Sequence, residues 1–67
     1  MSDEKAKAAI PADLAEALGR EPRAKARFEA MPPSHQREHM KWIEEAKKPE
    51  TRARRIAKTV EKIASEA

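Results

Sequence analysis

Cysteine is absent from this chain of 67 residues, and aromatic residues make up only 3% of it. The first absence excludes a disulfide framework and a thiolate metal site, and is neutral about the compartment. The second leaves no set of rings on which nucleic-acid bases could stack. Glycine occurs once, so there is no glycine-hinged helix-turn-helix signature either. No run alternates β-branched and polar residues as a strand would. Long apolar runs are missing too. Met1-Ser2-Asp3-Glu4-Lys5 opens acidic with no apolar stretch behind it, so the expectation is no signal peptide, no membrane span and a cytoplasmic location.

Charge, by contrast, is abundant. Charged residues are 40% of the chain, yet 15 Lys and Arg against 12 Asp and Glu leave a net charge of only +3. High charge with few apolar residues approaches the disordered regime, but the small net charge and the periodic apolar positions argue for a folded helical domain. Its bulky apolar residues are Ile10, Leu14, Leu18, Phe28, Met31, Met40, Trp42, Ile43, Ile56, Val60 and Ile63. Each is worth roughly 1.5–3 kcal/mol if fully buried, against a chain entropy cost of similar total size. Stability is therefore expected to be marginal or helped by a partner, and a homodimer is one such arrangement. A chain this short has no room for a cofactor fold, a substrate domain or a deep catalytic cleft. No enzyme activity and no cofactor are expected.

Proline supplies the punctuation. Residues 1–9 read as a disordered lead, and residues 10–67 as a single domain with helices near 11–18, 22–31, 35–47 and 50–65. Pro11 suits a first helical turn, Asp13 places a carboxylate near the positive end of the dipole, and Gly19 sits where a left-handed C-terminal cap is wanted. Pro22 opens the second helix, on which Ala24, Phe28 and Met31 share a face, and Pro32-Pro33 closes it. Ser34 reads as the N-cap of the third. There His35, His39, Trp42, Ile43 and Ala46 form a stripe with Met40 at its edge, and Lys47-Lys48 falls at the negative end of the dipole. After Pro49, an apolar seam of Ala53, Ile56, Ala57, Val60, Ile63 and Ala64 marks the fourth helix. The reading is all-α: a compact three- to four-helix domain whose last two helices carry most of the core.

Three strings lie in the second half of the chain: Ser34-His35-x-Arg37-Glu38, Trp42-Ile43-Glu44-Glu45-Ala46-Lys47 and Pro49-Glu50-Thr51-Arg52-Ala53-Arg54-Arg55-Ile56. Together they resemble the YdeI/OmpD-associated family, also labelled bacteriocin-protection. Pro11-x-Asp13-Leu14-x-x-Ala17-Leu18 and Phe28 look like that family as well, so the resemblance covers roughly residues 10–64. Members often carry this helical region behind a separate β-rich domain, whereas the expectation here is the helical region standing alone. The family usually has Tyr where this chain has His39. The resemblance implies a part in bacterial envelope stress or bacteriocin tolerance and association with an outer-membrane porin. It implies no reaction and no catalytic residues.

Three constellations invite a functional reading. His35-Gln36-Arg37-Glu38-His39 matches H-x-x-E-H, which puts two histidines on one helix face with Glu38 placed as a general base. A catalytic zinc also needs a third protein ligand and a cleft, so a surface or interface pair of histidines is the preferred account, and no metal site is assigned. Arg54, Lys58 and Lys62 are spaced four apart on the outer face of the last helix, with Arg55 beside them and Trp42 on the preceding helix. These five residues are the candidate interaction face, and Glu50 and Glu61 are placed to offset part of the charge. An acidic or mixed protein partner suits this face better than nucleic acid, because twelve acidic residues are interleaved with the basic ones. Nucleic-acid binding stays as the alternative. Last, Arg52 and Arg55 flank the apolar seam, where a guanidinium could pair with Glu44 or Glu45 across the helix junction as an internal latch.

Overall fold

The computed structural model describes residues 10–66. They form four helices: α1 (Ala12–Gly19), α2 (Pro22–Ala30), α3 (Pro33–Glu44) and α4 (Pro49–Ser65). Among the described residues there is no strand, and no helix is long and apolar enough to cross a membrane. The all-α class expected from the periodicity is therefore what the chain adopts. The disordered lead expected over residues 1–9 lies outside the described residues.

Each helix begins on stereochemistry rather than on a side-chain cap. Pro22, Pro33 and Pro49 occupy the first turns of α2, α3 and α4, and Pro11 precedes α1. A first-turn proline lacks only an amide that would have had no helical partner, and its fixed φ suits the helix. Ser34 consequently does not cap α3. Pro32 does so by its backbone, its carbonyl accepting from the amides of His35 at 3.0 Å and Gln36 at 3.2 Å. The helix ends at Glu44 rather than at 47, so Lys47 and Lys48 form the connection to α4 and Lys41 is the cation in the last turn.

The α1–α2 junction corrects a second expectation. No glycine has a positive φ, and the cap residue Arg20 is right-handed at φ −80° and ψ −14°. The chain closes α1 with short-range bonds from Arg20 to the Ala17 carbonyl (3.2 Å) and from Glu21 to the Leu18 carbonyl (3.0 Å). It then enters α2 at once, and no left-handed residue is needed. At the other end of α2, Met31 turns extended (φ −71°, ψ 149°), as the residue before a proline must. Gln36 of α3 reaches back and donates through Nε2 to the Phe28 carbonyl at 2.8 Å, satisfying one of the carbonyls the helix end leaves free.

The core takes two residues from every helix: Leu14 and Leu18, Ala24 and Phe28, Met40 and Ile43, Ile56 and Ile63. It is not concentrated in the last two helices, as the sequence suggested. Helix α4 packs against all three others. Ile43 and Ile56 lie in the same cluster, so the segments on either side of Pro49 fold back on each other. Two stripes are rotated from their expected faces. On α3, Met40 is buried and His35 exposed, while Trp42 is 41% exposed at the edge. On α4, Ala53 and Ala57 face solvent and Thr59 takes a place inside. Phe28 is fully buried, and its truncation to alanine in a domain this small would cost about 3–5 kcal/mol, a large share of the total stability.

Gly19 lies in a right-handed helical turn, and a Cβ built on it meets nothing within 4 Å. Gly19→Ala should therefore stabilise the chain by about 0.5–1 kcal/mol, by restricting the unfolded state without native strain. Thermal unfolding followed by circular dichroism measures this. A lower melting temperature would mean that the residue is left-handed after all.

Candidate functional site

Helices α3 and α4 leave a groove of about 710 Å³ between them. Glu38, His39 and Trp42, spaced along one flank of α3, form one wall, and Lys58 and Lys62, one turn apart on α4, form the other. Thr59 lies at its base beside the core, between Ile56 and Ile63 in helical register. The spacing follows from the fold: burying Ile43 and Met40 turns Trp42 to the rim, and burying Ile56 and Ile63 turns the lysines outward.

Trp42 is held rather than free. Arg55 donates through Nη1 to the Trp42 carbonyl at 2.6 Å, and its guanidinium carbon lies 5.0 Å from the centre of the indole ring. One arginine thus ties the backbone at the end of α3 and stacks on the side chain of the same residue. The other three members of the expected interaction face separate. Lys58 and Lys62 line the groove, whereas Arg54 stands on the exposed outer surface of α4. Among the described residues, neither Glu50 with Arg54 nor Glu61 with Lys58 forms an ion pair; those present are Arg20–Glu16 at 3.9 Å and Arg52–Asp13 at 2.6 Å. Lys58 and Lys62 therefore have no close ion-pair partner among the described residues, although Glu38 and Glu61 line the same groove.

His39 and Thr59 belong to this site and were not read as part of it. The His39 ring is tilted against Phe28 with centroids 6.4 Å apart. Burial pushes the His39 imidazole below its ordinary pKa, Lys62 adds to the effect, and Glu66 and Glu38 oppose it, so the ring is neutral at pH 7. Thr59 is 2% exposed, and its Oγ1 has no hydrogen-bond partner. An unmet buried hydroxyl costs roughly 1–3 kcal/mol. The signal for it was present: position 59 is three after Ile56 and four before Ile63, so a polar residue there had to face inward. His35 is exposed and apart from the core. Among the described residues, no group of three or more His, Cys, Asp or Glu side chains is placed to hold a metal ion.

The sequence model of a family described as bacteriocin-protection, YdeI or OmpD-associated (OmdA) matches residues 7–66. The chain belongs to the OmdA family. No curated protein and no solved structure matches it. The three strings that carried the resemblance to the OmdA family map onto the start and the end of α3, the connection and the first half of α4. They supply the core residues Ile43 and Ile56, the rim residue Trp42 and the two arginines that tie α4 to its neighbours.

Those two arginines do form a latch, but with other partners than Glu44 and Glu45. Arg52 grips Asp13 of α1 in a fork, Nε to Oδ2 at 2.6 Å and Nη2 to Oδ1 at 3.3 Å, while Arg55 takes the Trp42 carbonyl. Glu44 acts on Arg52 only at a distance, and Glu45 is the exposed C-cap residue of α3. In this OmdA-family chain the latch therefore clamps α4 to α1 and to α3 at once. The Arg52 hydrogen bond holds the Asp13 carboxyl below its usual range; partial burial opposes it, and the Leu14 amide at 2.9 Å assists.

Because the folded pKa of Asp13 lies below the unfolded value of about 3.8, the pair stabilises the fold at neutral pH, and its contribution is lost as pH falls through the folded pKa. Asp13→Asn should lower the melting temperature by a few degrees at pH 7, and the gap to wild type should narrow as pH falls below 3.8 and through the folded pKa. Parallel melts across that range measure it. A gap that is unchanged in acid would assign the loss to something other than this ion pair.

Proposed function

We propose that this OmdA-family chain is a non-enzymatic interaction module that holds a protein partner along the α3–α4 groove, in bacteriocin or envelope-stress tolerance. The observation that carries the reading is Trp42: among the described residues it is the large apolar side chain left 41% exposed, and Arg55 already fixes it in place. Tryptophan and arginine are over-represented at binding hot spots, and a side chain ordered before association loses less entropy on docking. Lys58 and Lys62 beside it, with Glu38 and Glu61 in the same groove, present charges of both signs that suit a partner of mixed charge. The bacteriocin setting comes from the family description alone, and the envelope-stress setting from the resemblance read in the sequence.

Nucleic-acid binding is the second reading, favoured by the exposed ridge of Arg54, Lys58 and Lys62. Glu38 and Glu61 line the same groove and would repel a phosphate backbone, which supports the protein partner over it.

Affinity capture from a bacterial lysate tests the proposal, with Trp42→Ala and a Lys58→Glu/Lys62→Glu pair as controls whose helical circular dichroism matches wild type. The expected result is a protein retained by wild type and lost, by tenfold or more, from both controls. Retention that disappears on nuclease treatment and weakens steeply with salt would transfer the assignment to nucleic acid. Equal retention by all three chains would remove the groove from the function.

A further inference from the structure

Charge is unevenly spread along the α3–α4 groove. Two contacts fix how its helices run past each other: Arg55 bonds the Trp42 carbonyl, and the charges of Lys62 and Glu66 reach His39. Going back along α3 therefore corresponds to going forward along α4. The groove has a hairpin end at Trp42 and an open end at Glu38. Lys58, one turn beyond Arg55, is the lining charge nearest the hairpin end. Glu38, Glu61 and Lys62 line the open end, with Glu66 just beyond. One end is thus net positive and the other net negative. Lys58 and Glu38 are both exposed, and among the described residues neither forms an ion pair.

Resting on the groove being the interaction site, we infer that its occupant is a second copy of this chain, seated groove to groove about a two-fold axis that crosses the groove at its middle. A two-fold axis reverses the groove, so the hairpin end of each copy lies on the open end of the other. Lys58 of one copy then meets Glu38 of the other, and symmetry makes the same contact a second time. A groove carrying equal numbers of lysines and glutamates selects neither a polyanion nor a polycation, but ends of opposite sign are complementary to their own reversed image. Trp42 is the apolar anchor from each side. Already ordered by Arg55, it is set over the open end of the other copy, where the half-buried His39 ring lies. Pairing also adds apolar burial to a domain whose own core is small.

The test is sedimentation equilibrium of the full chain up to about 1 mM, with the emission of its single tryptophan recorded over the same range. The expected result is a mass that rises to that of a dimer while Trp42 emission shifts to the blue. Glu38→Lys and Lys58→Glu, both at exposed positions, should each weaken self-association about tenfold or more, because each sets like charges together twice. Mixed in equal amounts, the two variants should associate as tightly as wild type does, since a pair made from one of each has opposite charges at both contacts. Wild type that stays monomeric, or that dimerises without the emission shift, would overturn the inference, and neither result depends on a variant folding. So would variants that associate as wild type does, or a mixture no tighter than its components. The groove reading is decided separately by lysate capture: a monomer that retains a protein through Trp42 keeps the groove and loses only the second copy.

Discussion

Burial of the Ile56–Ile63 face of α4 is the constraint from which the remaining features follow, because α4 is the helix against which the other three pack. Two isoleucines seven residues apart set its rotation. Once they face inward, Arg52 points to α1, Arg55 to the end of α3, Lys58 and Lys62 to the groove, and Ala53 and Ala57 to solvent. Rotating α4 by one residue, about 100°, would break both arginine contacts and bury a charge. The apolar core and the polar ties thus specify the same register, a consistency that lets a small core define one structure.

Local rules were the legible part of the fold. Pro22 and Pro49 act on their own neighbours, and the helix starts expected at 22 and 50 lie within one residue of those observed, whereas α3 starts at Pro33, two residues before the expected 35, because that proline itself takes the first turn. What the sequence left hidden depends on contacts distant along the chain. The Arg52–Asp13 fork joins residues 39 positions apart, whereas Glu44 and Glu45 looked like partners only because they are near in sequence. Gly19 misled for a related reason. A left-handed cap suits a helix that ends in a loop, but here α2 follows after two residues, right-handed Arg20 and then Glu21 at φ −128° and ψ 88°.

The site was half visible. Trp42, Lys58 and Lys62 were recognisable because a lone tryptophan and a spaced set of lysines stand out in composition. The stripe on α3, read as His35, His39, Trp42, Ile43 and Ala46 with Met40 at its edge, rightly held Ile43 but took in the exposed His35 and Trp42, because three- and four-residue spacings connect either set equally well. Only the packing of Met40 and Ile43 against Phe28 and its neighbours decides which set turns inward. Thr59 escaped because the seam could be completed with alanine and valine, and two of its three alanines, Ala53 and Ala57, proved to be on the surface.

Opening helices with proline instead of a capping side chain has a consequence for how the domain meets changing conditions. A cap made by Asp, Ser or Glu is a hydrogen bond that acid, salt or competing solutes can weaken. A pyrrolidine ring has nothing to titrate or screen. The start points of α2, α3 and α4 are thus held by covalent geometry, and the ionic strength or acidity of the surroundings can loosen the clamp between helices without shifting where any helix begins.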